Sequence, residues 1–204
     1  MVDKTLRQAK ERILIPIAQR MGGVDPSLIT WLAFGVGVGA AVSLWQQNYG
    51  IGILLWGLNR ILDGLDGTLA RTNQRQSDFG GYLDMVLDVV IYTIIPLGLT
   101  AGTGTVTAYL ALAVLLGSFY INAASWMYLA ALLEKRQAGA SSTGEQTTIT
   151  MPTGLIEGTE TIVLFSLFIL LPHYLVPLFY LMAALVLITA IQRLIWAYRV
   201  LDGK

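Results

Sequence analysis

The sequence predicts an all-α integral membrane protein in which six transmembrane helices follow an interfacial amphipathic helix. Three observations carry this expectation. Hydrophobic residues make up 55% of the chain and charged residues 13%, with a mean hydropathy of +0.64, well outside the composition of ordinary soluble domains. Apolar stretches long enough to cross about 30 Å of hydrocarbon fall at about 26–46, 51–71, 81–101, 106–133, 154–171 and 176–199. Finally, lysine and arginine gather on one side of these stretches.

Residues 1–24 interleave Lys4, Arg7, Lys10, Arg12 and Arg20 with Leu6, Ile13, Ile15, Ile17 and Ala18, an arrangement compatible with a helix lying against anionic headgroups. The apolar run 13–18 is too short for a signal-peptide core or a span, so no cleaved signal is expected. Residues 25–204 then form the six-helix transmembrane domain. Asp25 and Pro26 open its first helix as N-cap and first helical residue. Within that helix Gly35 and Gly39 have the small-xxx-small spacing of close helix packing. Asp78, just before the third apolar run, is expected to cap it. The fourth helix ends at Lys135 and Arg136, and the polar stretch 137–150, rich in Ser, Thr and Gly, reads as a flexible loop. Pro152-Thr153-Gly154 opens the fifth helix and Pro177 marks the sixth.

Short cytoplasmic loops retain Lys and Arg. All 13 basic residues fall in the N-terminal segment, the 71–80 and 134–152 connections, the C-terminus, or the helix ends on that side. The opposite loops, 46–51, 102–106 and 172–176, contain none. Both termini are therefore expected inside. The absence of cysteine excludes disulfides, thiolate metal sites and a cysteine nucleophile, and the one histidine, His173, is isolated. With equal acidic and basic counts on so apolar a chain, no nucleic-acid partner is expected.

The anomaly is a run of acids at membrane depth: Asp63-Gly64-Leu65-Asp66-Gly67-Thr68-Leu69-Ala70-Arg71, then eight residues, then Gly80-Gly81-Tyr82-Leu83-Asp84-Met85-Val86-Leu87-Asp88. Carboxylates there are costly unless cations, water or a buried site compensate them. Asp63 and Asp66 are three residues apart and Asp84 and Asp88 four, so each pair shares a helix face. Two antiparallel helices joined by a short turn can bring those faces together. An all-oxygen cluster without Cys or a nearby His suits Mg²⁺ or Mn²⁺, and such cations commonly bridge phosphates. Gly64, Gly67, Gly80 and Gly81 leave room for a nucleotide or phosphate to approach backbone, and Arg71 can pair with a diphosphate oxygen. A packing network of paired charges is the weaker reading, because Arg60, Arg71 and Arg75 do not neutralise four acids at close range.

These residues match, in register, the signature D-x2-D-G-x2-A-R-x8-G-x3-D-x3-D, and the chain thereby resembles the CDP-alcohol phosphotransferase family, also called class-I CDP-alcohol phosphatidyltransferases. Chain length and the six-helix plan agree with the resemblance. At the start of the first helix Pro26-Ser27-Leu28-Ile29-Thr30 departs from the family's frequent Pro-Asn-x-x-Thr. The resemblance implies that 25–204 is the catalytic domain of an enzyme moving a phosphatidyl group from a CDP-lipid such as CDP-diacylglycerol to an alcohol, releasing CMP. It implies two divalent cations on Asp63, Asp66 and Asp84, with Asp88 as general base and shared metal ligand. Gly67, Ala70 and Gly80 would line the nucleotide and Arg71 would hold the diphosphate. A homodimer in the bacterial inner membrane, its site facing the cytoplasm, is implied as well.

For the acceptor, possibilities include glycerol 3-phosphate or another phosphorylated polyol. Lys135, Arg136 and Arg193 could surround its phosphate or serve as positive-inside anchors. Glu157 and Glu160 could recognise its hydroxyls or pair with Arg193. Asn59 either orients a carboxylate or bonds another helix. Among competing functions, a cation transporter would spread its acids across the bilayer depth rather than cluster them at one end, and a non-catalytic scaffold would retain the motif without turnover.

The charge asymmetry predicts that a single cysteine at position 104 in this cysteine-free background is labelled from the non-cytoplasmic side. Labelling only from the cytoplasmic side would overturn the topology.

Overall fold

The structure, a computed structural model, describes residues 14–139 and 154–202. The expected interfacial helix over 1–24 and the loop over 137–150 lie largely outside these. Within them α1 is helical over 14–20, followed by α2 (Pro26–Trp45), α3 (Tyr49–Thr72), α4 (Asp78–Thr103), α5 (Val106–Lys135), α6 (Gly158–Leu170), a single 3₁₀ turn (Pro172–Tyr174) and α7 (Leu175–Asp202). No strand occurs among the described residues.

Four stretches are long and apolar enough to cross a membrane: Pro26–Trp45, Asp78–Thr103, Val106–Lys135 and Pro172–Asp202. α3 carries Arg60, Asp63, Asp66 and Arg71, and α6 has 13 residues, about 20 Å at 1.5 Å per residue. Among the described residues the protein is therefore all-helical with four candidate spans, fewer than the six expected. Leu54, Val106, Leu110, Ile191 and Leu194 are exposed, as suits helices facing lipid.

Local chemistry fixes the helix boundaries. Asp25 caps α2 as expected, its Oδ1 accepting from the Ser27 amide at 2.8 Å with Pro26 in the first turn. α4 begins three residues before the apolar run, and its cap is Ser77 rather than Asp78. The Ser77 backbone is extended and its Oγ accepts from the Gly80 amide at 3.0 Å, whereas Asp78 is already helical. Gly104 ends α4 in the left-handed conformation at φ 65° and donates its amide to the Thr100 carbonyl. The neighbouring Thr105 is thus the less strained position for a labelling cysteine.

The expected fifth helix from 154 begins instead at Gly158. Glu160 supplies one half of a capping box, its carboxylate accepting from the Glu157 amide at 3.1 Å, while the Glu157 carboxylate turns back to accept from the Gly154 amide at 3.0 Å. The Leu155 and Ile156 amides donate to Gln192 Oε1 and Thr189 Oγ1 of α7, each at 3.0 Å. With side chains satisfying all four amides, residues 154–157 are held as a turn.

The chain divides into two compact units. The first holds the described residues up to Thr105 together with 162–172. In it, Leu14 and Ala18 of α1 pack with Ile29 of α2 and Leu65 and Leu69 of α3. Ala33, Gly37 and Ala41 form the buried small-residue face of α2. A Cβ at Gly37 would collide with Ile91 and Asn59, and one at Gly98 of α4 with the Ala41 carbonyl oxygen. One at Gly102 would lie 2.9 Å from the Leu44 carbonyl oxygen. The close backbone approach therefore sets Gly98 and Gly102 of α4 against the α2 backbone at Ala41 and Leu44, with Gly37 making room for Ile91 and Asn59, and does not use Gly35 and Gly39. Gly35 has open space beside it, and both line an apolar groove with Trp31 and Leu55. In the second unit, α5 packs with α7, and the Arg136 guanidinium donates to the Leu201 carbonyl at 2.7 Å, closing the end of α7.

Because backbone cannot rotate away as a side chain can, Gly98→Ala is expected to destabilise the protein by about 1–3 kcal/mol, while Gly35→Ala, facing open space, stays near the parent. Thermal unfolding in detergent measures both. A Gly98→Ala variant as stable as the parent would contradict the α2–α4 approach.

Candidate active site

Asp63 of α3 and Asp84 and Asp88 of α4 line one cavity of about 10 Å³, together with Thr30, Asn59 and Arg60, roughly the room of a single water. Helical spacing explains this convergence: Asp63 lies one turn beyond Asn59 and Arg60, and Asp84 and Asp88 are successive turns of α4. The fourth acid of the motif behaves differently. Asp66 is 4% exposed, does not line the cavity, and its Oδ1 accepts from the adjacent Gly67 amide.

The principal cation of this cavity is Arg60, a residue that charge counting alone undervalued. It is 7% exposed and its guanidinium is held on every side. Nη2 donates to Asp88 Oδ1 at 2.9 Å and lies 3.6 Å from Asp63 Oδ1, while Nη1 donates to the Tyr92 hydroxyl at 3.1 Å and Nε to Asn59 Oδ1 at 2.8 Å. Its Cζ stands 4.9 Å from the Trp56 ring centroid and 5.2 Å from that of Tyr92, a cation–π cage. The cage has its own supports. Trp56 stacks on Phe165 at 5.3 Å and donates Nε1 to Ser166 Oγ at 3.2 Å, and Tyr92 meets Phe165 edge-on at 5.4 Å. Asn59 Nδ2 donates to the Ala33 carbonyl of α2 at 2.8 Å. Asn59 therefore bonds another helix, and the group it orients is a guanidinium rather than a carboxylate.

A signal for this cluster was present in the sequence. Trp56, Asn59, Arg60 and Asp63 recur at one-turn spacing along α3, and Tyr92 stands one turn after Asp88.

Other motif residues have more local environments. Arg71 folds back over Gly67, so that a Cβ there would lie 3.3 Å from Arg71 Nη1. At Gly80 a Cβ would stand 3.0 Å from the capping Ser77 Oγ, so that glycine also serves the helix start. Ala70 lies in the last turns of α3. Lys135, Arg136, Glu157 and Arg193 belong to the second unit. There Arg193 is 6% exposed and donates to Asn122 Oδ1 at 2.7 Å, a partner absent from the sequence reading. Arg136 and Glu157 serve the α7 end and the 154–157 turn.

The sequence profile of the CDP-alcohol phosphatidyltransferases matches residues 24–196. The chain belongs to this family. The chain is 35% identical over 175 residues to the inner membrane protein YnjF of Escherichia coli, covering 86% of this chain and 83% of that one. It is 36% identical over 108 residues to an archaetidylinositol phosphate synthase of Methanothermobacter thermautotrophicus, covering 52% of this chain and 55% of that protein. Its fold is similar to the crystal structure of Mycobacterium tuberculosis phosphatidylinositol phosphate synthase with CDP-DAG bound. The TM-score is 0.70 at 21% identity, over 92% of this chain and 94% of that one. A structure of that protein in complex with manganese and citrate has a TM-score of 0.68, also at 21% identity, covering 91% of this chain and 88% of that one. Family membership makes the chain a transferase of phospholipid synthesis and displaces the transporter reading.

Divalent metals are the family's cofactor. The cavity's donor chemistry fits such an ion, because its acids are carboxylates, hard oxygen donors, while a guanidinium already stands at Asp63 and Asp88. Among the described residues no three acidic, histidine or cysteine side chains already converge into a metal cage. The fit therefore rests on donor type, and the guanidinium opposes a cation there rather than drawing it.

Proposed function

We propose that this enzyme transfers a phosphatidyl group from CDP-diacylglycerol to a hydroxyl of a phosphorylated polyol, with an inositol phosphate or glycerol 3-phosphate the first acceptors to test. The observation that carries this is the meeting of Asp63, Asp84 and Asp88 in one cavity within a family signature that is complete in register. The acceptor class draws on the inositol phosphate products named for the relatives.

In this reading the acceptor oxygen attacks the lipid-side phosphorus of the diphosphate. The bond from that phosphorus to the CMP phosphate oxygen breaks, and the hydroxyl proton passes to the Asp88 carboxylate. Arg60 fixes one oxygen of Asp88 and so limits its rotamers before substrate arrives. Asp63, Asp66 and Asp84, with Asp88 shared, would hold two divalent cations, which when bound supply positive charge to the diphosphate and the departing CMP. Arg71 pairs with a diphosphate oxygen, and Gly67, Ala70 and Gly80 leave space along the nucleotide.

Arg193 is the strongest of the proposed acceptor contacts. It is buried within α7, bonded to Asn122 and close enough to Glu157 to feel its charge, and a guanidinium has the charge and planar geometry that suit a phosphate. Lys135, Arg136 and Glu157 are secondary, because Arg136 and Glu157 also have helix-end roles. The charge asymmetry supports an inner-membrane location with the site toward the cytoplasm, and a homodimer follows the family resemblance.

CMP release by purified protein, dependent on CDP-diacylglycerol, acceptor and Mg²⁺ or Mn²⁺, tests the function. Within that assay the roles separate. Asp63→Asn, Asp66→Asn and Asp84→Asn should weaken metal dependence and recover partly with added Mn²⁺. Asp88→Asn should lose kcat by about 10²–10⁴-fold, the scale of a lost general base, with smaller changes in CDP-lipid KM. Turnover by folded Asp88→Asn within about threefold of the parent would remove Asp88 as the base.

A further inference from the structure

Arg60 is a charged side chain that the family signature does not include, yet it contacts two of that signature's carboxylates. Its position is unusual for a merely neutralising partner. A surface arginine could swing toward water as a metal arrived, but this one is pinned by Asn59, by the Tyr92 hydroxyl and by the Trp56 and Tyr92 rings. Its hold reaches two helices: Asp63 and Asn59 stand on α3, and Asp88 and Tyr92 on α4.

We propose that Arg60 is a resident counter-cation that competes with divalent metal for Asp63 and Asp88 and so sets the metal concentration at which the site fills. The inference rests on the metal-binding reading of these carboxylates. Its physical basis is simple. Carboxylates at membrane depth are costly without compensation, and a fixed guanidinium supplies it when no metal is bound. The same charge remains in its cage when a cation enters and repels it at short range, where Coulomb energies are large. Arg60 thus lets the fold persist without metal while lowering metal affinity. It also holds Asp88 in a fixed orientation, which makes it a positioning residue.

The test is an Mn²⁺ titration followed by electron paramagnetic resonance on detergent-purified protein without lipid substrate, comparing the parent with Arg60→Lys, Arg60→Gln and Arg60→Met. Methionine fills the aromatic cage without charge, so a polar substitution that fails to fold does not end the experiment. The uncharged variants are prepared in Mn²⁺, stripped with EDTA and titrated. They should bind Mn²⁺ about tenfold or more tightly than the parent, and their unfolding temperatures should rise more on adding Mn²⁺. Arg60→Lys, which keeps the charge, should stay within about threefold of the parent.

Unchanged or weaker Mn²⁺ binding in folded Arg60→Gln and Arg60→Met, with normal binding by the parent, would overturn the role of Arg60 alone. Absence of Mn²⁺ binding by the parent would overturn the metal reading and this inference with it. Failure of both uncharged variants to fold even in Mn²⁺, while Arg60→Lys folds, would also overturn it, since the guanidinium would then be a core element that metal cannot replace.

Discussion

Charge placed among membrane helices is costly unless cations, water or a buried site compensate it, and in the first unit the bond from Arg60 to Asp88 and its close approach to Asp63 supply the central part of that compensation. Arg60 is buried while Asp63 and Asp88 are partly exposed, so the loss of either carboxylate falls hardest on the guanidinium, which water does not reach. Much of the surrounding structure serves this contact. Phe165 and Ser166 hold Trp56, Trp56 and Tyr92 enclose the guanidinium, and Asn59 links it to the α2 backbone through the Ala33 carbonyl. The small residues of α2, and Gly98 and Gly102 of α4, allow the close backbone approach on which this arrangement stands. Packing and chemistry are therefore coupled: a change at Gly37 would reach Asn59 and Ile91, and through Asn59 the Arg60 side chain.

The second unit shows how differently a charged residue can be used away from the aspartate motif. Arg136 bonds the Leu201 carbonyl at the end of α7, Glu160 satisfies the Glu157 amide just before α6, and Glu157 satisfies the Gly154 amide of the preceding turn. These are helix-end functions with ordinary capping energetics, about 0.5–2 kcal/mol each. Arg193 differs because it is buried within a helix and bonded to Asn122. That contrast is why it leads the proposed contacts to an acceptor phosphate.

What the sequence revealed followed the strength of its local signals. The aspartate motif was legible because its spacing is rigid and its residues have few alternative uses at membrane depth. The start of α2 was legible because Asp25-Pro26 is a strong cap. Adjacent polar residues at 77 and 78 blurred the start of α4, since side-chain type alone does not report which backbone is extended. The turn at 154–157 was missed because its amides are held by Glu157, Glu160 and by Thr189 and Gln192 of a distant helix, a pattern that local sequence does not announce. The packed face of α2 was hidden by a helix apolar all round, where periodicity cannot distinguish a lipid-facing glycine from a buried one. Arg60 was undervalued for another reason: acids and bases were counted, whereas the decisive fact is which of them share a helix face and meet across helices.

The proposed divalent-cation site sets Asp63, Asp84 and Asp88 around a guanidinium that stays in place. Anomalous diffraction at the manganese edge from crystals grown with Mn²⁺ tests it most directly. Manganese peaks within about 2.0–2.4 Å of Asp63 and Asp84 carboxylate oxygens, with Arg60 still seated against Trp56 and Tyr92, are the predicted result. Manganese bound elsewhere, or none at these aspartates at saturating concentration, would contradict the claim.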